Sequence, residues 1–421
     1  MNDRRTLITM LAFACDYVAW SVGMAFIGTT TVMPTFVRHF TDSSAVIGLI
    51  NVIQTGGFLV PQLIVSNLIA HHTRKKPVMI GAGLLYRYLP WLFALFLALN
   101  PTTPGAIMLS VFYLGYVLFN IGDAVATVPW FDIMGKSVPP SRRGRMMGSA
   151  QIVAGVLAIG AGQLVTRILS PDGPPFPYNY ALCFAIAGTG VMLSWVASFF
   201  VHEVIQPVAE TRLAFNEYLP ALARVLRYDT NFRRVTLARL IGGMANMALP
   251  FYIIFGTDQL RFASETIGLF VSAQVIGGLL AGTVLGFLSE RSGSKAVIIA
   301  SLAIQMLAPL LALLVFFGGA MFGTLTPWVY ALVFVAVGVG QSSGILGFIS
   351  YVLELAPPQE RVTYVGLTNT LSGLLLFAPL IGAAAIQFVS YTGMFTLVIA
   401  LLLTSLVIAV RLVEPRKNFK F

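Results

Sequence analysis

Three ionisable side chains, Asp16, Arg87 and Asp123, stand inside long apolar stretches, and a polar stripe runs through the last of these stretches. Tyr113, Tyr116, Asn120, Asp123, Thr127 and Trp130 follow steps of three and four, which puts them on one face of a helix. A face of phenol, amide, carboxylate, hydroxyl and indole groups is a poor neighbour for lipid tails, so the stripe is expected to line an aqueous cavity. An ionisable group among apolar neighbours costs several kcal/mol unless it is paired or wetted. Two chemistries fit: a carboxylate that alternates between a proton and a solute, and a structural ion-pair network in which Arg87 serves Asp123 and Asp16. Both readings stay open at this level.

Weaker candidates surround these three. Asp16 shares a helical face with Trp20 and Gly23, and Arg239 with Gly243 and Asn246. Asn51, Gln54 and Gln274 add amides to other apolar runs. Arg239, close to a helix start, suits snorkelling to an interface as well as cavity lining. Asp132 and Glu354 read as helix-end residues. His71 and His72 have no His or Cys cluster to join in metal binding, so a surface role is expected and no metal site is assigned. The glycine-rich stretches lack any phosphate-cradling or dinucleotide pattern, which leaves no motor for ATP-driven work and calls for no cofactor.

The elements that hold these residues follow from composition. Of 421 residues, 57% are hydrophobic and only 10% charged; a soluble surface needs roughly a quarter charged. Lipid must be the solvent. The net charge of +10 falls in short gaps between apolar runs, a membrane-topology pattern and not a nucleic-acid face. Cys15 and Cys183 sit apart in apolar segments and suggest no disulfide framework. The basic N-terminus leads into an apolar run that carries Asp16 and lacks a small-residue cleavage site, so it is read as a retained first helix.

Apolar runs long enough to cross roughly 30 Å of hydrocarbon lie at about 7–31, 45–70, 77–99, 105–135, 144–169, 178–202, 232–257, 264–289, 294–317, 326–355, 361–389 and 391–413. At about 1.5 Å per residue, Asp16, Arg87 and Asp123 come near the midplane. Two sequence pairs recur. Val138 to Gly148 (VPPSRRGRMMG) returns as Ala356 to Gly366 (APPQERVTYVG), and Asn67 to Val78 (NLIAHHTRKKPV) as Gly286 to Val297 (GFLSERSGSKAV). The offset places Gln341 at the repeat position of Asp123 and Asn369 at that of Gln151.

The expected architecture is therefore an all-α integral membrane protein. Twelve transmembrane helices form two pseudo-twofold-related six-helix bundles, 1–202 and 232–421. Residues 203–231 form a cytoplasmic linker with an amphipathic surface helix. Basic clusters at Arg4 and Arg5, Arg74 to Lys76, Lys136 to Arg145, Arg291 and Lys295, and Arg411 to Lys420 share one side. The other side keeps only Arg38, Arg167 and Arg261, which puts both termini in the cytoplasm of a plasma (inner) membrane protein.

The stretch Gly286 to Lys295 resembles the GxLxDRxGRK loop of the major facilitator superfamily of transporters, with Gly286, Leu288, Glu290 in place of Asp, Arg291, Gly293 and Lys295 at matching positions. The resemblance implies a cytoplasmic gate at Gly286, Glu290, Arg291 and Gly293, with Arg143 and Arg361 in the Pro-Pro loops beside it. It also implies a central cavity walled by the first, fourth, seventh and tenth helices. The first-half copy keeps only Arg74, Lys75 and Lys76. The fourth span carries Leu118 where the family's arginine would stand, and the fifth lacks the antiporter glycine-proline motif. The functional expectation is a secondary transporter, not an enzyme, that exports a neutral or amphipathic organic solute with proton coupling. Its solute- and coupling-site residues are Asp16, Trp20, Tyr113, Tyr116, Asn120, Asp123, Thr127, Arg239, Asn246 and Gln341. Cation-coupled uptake of a sugar-like solute, and a transporter-fold assembly factor of a membrane complex, are the alternatives. The expected partners are a small-molecule solute, protons and membrane lipid, with a monomeric chain and no nucleic acid.

Overall fold

In hydrocarbon every backbone amide must find its partner inside the chain, which leaves helices for runs of this length and composition. The computed structural model describes residues 3–69, 73–205, 227, 229–356, 364, 367–368 and 371–414. Ten runs among the described residues are long and apolar enough to cross a membrane. The chain divides into two compact units, Met1–Glu210 with Ala263–Ser272, and Thr211–Phe262 with Ala273–Phe421.

The first unit holds α1 (Asp3–Ala25), α2 (Val32–Arg38), α3 (Ser44–Ile69), α4 (Lys76–Tyr86), α5 (Leu89–Leu99), α6 (Gly105–Ser137), α7 (Pro140–Leu169) and α8 (Tyr178–Ser198). α1 packs on α7 and α8, α6 on α3 and α4, and α5 on α8. The run expected to cross at 77–99 is two helices. Pro90 has no N–H to offer the carbonyl one turn back, so the ladder breaks and Arg87 becomes the C-cap of α4. A cation is at home there, at the negative end of the helix dipole. At the start of α4, the Glu203 carboxylate accepts the amides of Lys75 (2.7 Å) and Lys76 (2.9 Å), meeting the positive end.

The second unit holds α9 (Thr230–Gly243), α10 (Leu249–Asp258), α11 (Thr266–Leu280), α12 (Gly286–Ser292), α13 (Ser294–Gly318), α14 (Thr326–Ser343), α15 (Ser350–Leu355) and α16 (Ala378–Val410); the first residues of α11 lie in the other unit. Asp229 caps α9, accepting the Phe232 amide at 2.9 Å, and takes a bond from Tyr364 at 3.0 Å. Regular helix is repeatedly interrupted here. Met244–Ala248 and Gly373–Phe377 tighten to 3₁₀ geometry, while Ala281–Leu285 and Gly344–Ile349 widen to π. The run from Gly373 to Val410 is continuous but turns at Ser390, whose φ is 66°. This is where the eleventh and twelfth spans were expected to part. The linker helix expected within 203–231 lies outside the described residues for 206–226, as do His71 and His72.

Candidate functional site

The charged residues of the first unit meet where α1, α4, α6 and α8 approach. Asp16 on α1 and Arg87 at the end of α4 form an ion pair, Oδ1 to Nη1 at 3.6 Å, with both residues buried. Asp16 is otherwise saturated. Its Oδ1 accepts from the hydroxyls of Ser194 and Ser198, and its Oδ2 accepts from the Trp130 indole at 2.6 Å. Arg87 donates from Nη1 to Ser194 Oγ (2.5 Å) and to the Val191 carbonyl (3.2 Å), and its guanidinium lies 5.3 Å from the centre of the Trp20 ring. Removing either charge would strand the other in an apolar interior.

Asp123 is held differently, which corrects the expected Arg87–Asp123 pair. Arg87 reaches it through an intermediary. Nε of Arg87 donates to the Tyr86 hydroxyl at 3.1 Å, and that hydroxyl donates to Asp123 Oδ1 at 3.1 Å. Gly122 makes the reach possible, because a Cβ there would stand 2.5 Å from that of Tyr86. Asp123 is half-buried where Asp16 is enclosed.

The α6 stripe does not turn one wet face to solvent, for its members are shared among neighbours. Tyr113 donates to the Val46 carbonyl of α3. Asn120 is buried against Gly57 and donates to the Tyr116 carbonyl at 2.7 Å. Tyr116 is buried and stacks on Phe112. Trp20, from α1, stacks on Phe119 with centroids 5.7 Å apart. The reason is geometric: a six-residue stripe spans several turns of α6, and different helices cross it at different heights.

In the second unit the expected residues gather around a cleft. Asn246 and Gln341 line it together with Gln305, Tyr252, Ala245, Leu249 and Gly340. Gln274 donates to the Gln341 amide oxygen at 2.9 Å. No charged side chain is among the lining residues. Arg239 lies a turn before Gly243, half-buried, with Nη1 lacking a hydrogen-bond partner among the described residues. Of the expected gate, Gly286 opens α12, Arg291 is exposed and Gly293 has φ +84°, a conformation that favours glycine. A Cβ on Gly293 would also meet the Glu414 carboxylate at 2.4 Å. Arg361 and the side chains of Glu290 and Arg143 lie outside the described residues.

Sequence reasoning passed over Tyr86, Ser194, Ser198 and Gln305. Ser194 and Ser198 carry a signal, two hydroxyls one turn apart in an apolar span. Tyr86 carries none beyond its position beside Arg87.

Residues 235–420 match the family model described as Major Facilitator Superfamily. An uncharacterized protein of Mycobacterium tuberculosis is 22% identical over 259 residues, which are 61% of this chain and 48% of that protein. A Mycobacterium bovis protein aligns to the same extent. The chain thus spans about half the length of the curated relatives it matches. Among solved structures, a D-xylose–proton symporter superposes with TM-score 0.70 at 14% identity, covering 99% of both chains. A nucleoside transporter does so at 0.65 and 14%, covering 99% of this chain and 100% of its own. A peptide transporter of the POT family does so at 0.64 and 13%, covering 99% and 98%. At such identities the likeness is one of fold.

Proposed function

We propose, from the premise that this chain is a transporter of the major facilitator superfamily type, that it moves a neutral organic solute in exchange for or together with protons, by alternating access. Asp123 is the proton carrier, and the amide cleft of the second unit receives the solute. The observation that carries the reading is the unequal treatment of the two carboxylates. Asp16 has an ion-pair partner and three further donors, so its charge is fully compensated and it serves to fix Arg87. Asp123 has one neutral donor, the Tyr86 hydroxyl, and partial exposure; it can take up a proton without breaking an ion pair. Gaining that proton weakens the pull of the carboxylate on the Tyr86 hydroxyl, and through Tyr86 the change reaches Arg87.

The solute class follows from the cleft. Asn246, Gln305 and Gln341 offer both donors and acceptors with no charge nearby, which suits hydroxyl- or amide-bearing solutes. D-xylose and a nucleoside, named for two structural neighbours, are the first probes. A twelve-helix count also belongs to this reading. The 26 residues of α3 suffice for a crossing, and the break at Ser390 divides the last run into two. Both termini are placed in the cytoplasm on the distribution of basic residues.

The test is proton movement. Proteoliposomes enclosing a pH-sensitive dye are given each probe in turn, and solute flux is followed in parallel. Coupled transport changes the internal pH on solute addition, and Asp123→Asn abolishes the pH change while the protein stays folded. Solute flux with no proton movement, and the same pH profile in Asp123→Asn as in the parent, would overturn the proposal. Inside-out and right-side-out vesicles compared in the same assay read the direction, export loading the former.

A further inference from the structure

Basic side chains at the helix ends of the two units differ in their partners. In the first unit Asp132 takes Lys75 at 3.0 Å and Lys136 at 2.6 Å. In the second, Arg233 and Arg234 on α9 and Arg411 at the end of α16 are exposed, and none of them pairs with a carboxylate among the described residues. The nearby acids are engaged elsewhere. Asp229 accepts the Phe232 amide and the Tyr364 hydroxyl, and the Glu414 carboxylate lies against Gly293.

Helix packing brings the three arginines together. The Ser405 hydroxyl donates to the Ala238 carbonyl at 2.7 Å, while further along Tyr252 and Phe255 each hold Phe395 with ring centres 5.1 Å apart. The run from α9 into α10 is thus antiparallel to the last part of α16. Counted from the Ala238–Ser405 contact, Arg234 and Arg233 are four and five residues back along α9, and Arg411 is six residues on along α16. At about 1.5 Å per residue they come level to within about 3 Å. In an antiparallel pair equal rotations face one flank, and at about 100° per residue the three arginines and Leu237 all turn to the same one. Asn246 turns to the opposite flank, toward the amide cleft.

Past the arginines this flank is aliphatic. Leu237 and Leu397 are exposed there, and Ile241 and Ile408 are half-buried beside them. We propose that the flank binds an anionic phospholipid, its phosphodiester held by Arg233, Arg234 and Arg411 and its acyl chains lying along Leu237, Ile241 and Leu397. Guanidinium forks match the oxygens of a phosphate two at a time. A zwitterionic lipid fits less well, because its own cation competes with the arginines for the phosphate. A soluble phosphate fits less well too, since it would use the charges and none of the aliphatic surface.

The test is native mass spectrometry of the full-length protein released from nanodiscs of equal phosphatidylglycerol and phosphatidylcholine. The parent should retain phosphatidylglycerol in preference by about a hundredfold, or about fivefold for each arginine. Arg411→Gln alone should lower the preference about fivefold, and Arg233→Gln, Arg234→Gln and Arg411→Gln together should remove it. Arg74→Gln, at an exposed base of the first unit, should leave it unchanged. No preference in the parent, or one unmoved by the three substitutions, would overturn the proposal. An equal loss in Arg74→Gln would do the same, by showing a response to net charge. Full displacement of phosphatidylglycerol by glycerol 3-phosphate would make a soluble phosphate the ligand and would count against the lipid. The Arg411→Gln arm stands alone if the triple variant does not fold. Transport plays no part in the readout, so the outcome is independent of the proton assay.

Discussion

The two units put their polar side chains to opposite uses. In the first, Asp16, Arg87 and Asp123 are tied to Tyr86, Trp130 and Ser194 by directed bonds between α1, α4, α6 and α8, with Arg87 at the point where α4 ends. In the second, the cleft is lined by neutral amides, and helices leave α geometry at Met244–Ala248, Gly344–Ile349 and Gly373–Phe377. The physical cause is the cost of error. A charge in a low-dielectric interior loses several kcal/mol when its partner moves, so its frame must be rigid. An amide beside an open cleft loses less and tolerates a helix that changes its winding, and π segments are frequent at functional sites.

That contrast breaks most sharply at Arg87. Replacing it with Met leaves Asp16 buried without its counter-charge, and destabilisation of about 3–5 kcal/mol is expected, read as the loss of thermal stability in detergent. Asp16→Asn made together with Arg87→Met should restore part of it, because the Asp16–Arg87 pair is then removed whole and only the half-buried Asp123 keeps its charge. Tyr86→Phe comes next. It deprives Arg87 Nε and Asp123 Oδ1 of a shared partner, an effect of about 1.5–3 kcal/mol for bonds to charged groups. A shifted pH dependence of transport should accompany it, since Asp123 loses a donor. Equal pH profiles in Tyr86→Phe and the parent would detach Asp123 from the network.

The second unit should respond in function more than in stability. Gln341→Leu removes an amide from the cleft and the acceptor of Gln274, both near solvent. A KM for the transported solute raised about tenfold is expected, with stability changed by less than about 1 kcal/mol. Stability lost on the scale of Arg87→Met would show that the amides are structural. The smallest effect is expected at Arg239. Its Nη1 finds no bond among the described residues, so Arg239→Met should be neutral within about 1 kcal/mol or mildly stabilising. The same melting curves as for Arg87 provide the comparison.

Much of this layout was legible in the residues. Apolar runs of this length with so few charges read as membrane helices, and the positions of Asp16, Arg87 and Asp123 within them marked a polar cluster. The ordering of that cluster was not legible. Arg87 pairs with Asp16 and not with Asp123 because Pro90 ends α4 one residue before Arg87 and aims the side chain at α1 and α8. Nothing in the spacing of the α6 stripe tells which neighbouring helix each member meets, and Tyr116 went to an aromatic interior where a wet face was expected.

By itself the sequence determined the solvent, the class of secondary structure and the list of side chains too polar for lipid, because those depend on composition and on local periodicity. Which carboxylate is sealed and which is left half-open was decided by tertiary structure alone. It depends on Ser194, Ser198 and Trp130 arriving from α8 and α6 around Asp16, while Asp123 receives Tyr86 from α4. Contacts between residues 37 to 182 positions apart leave no trace in the spacing of either partner.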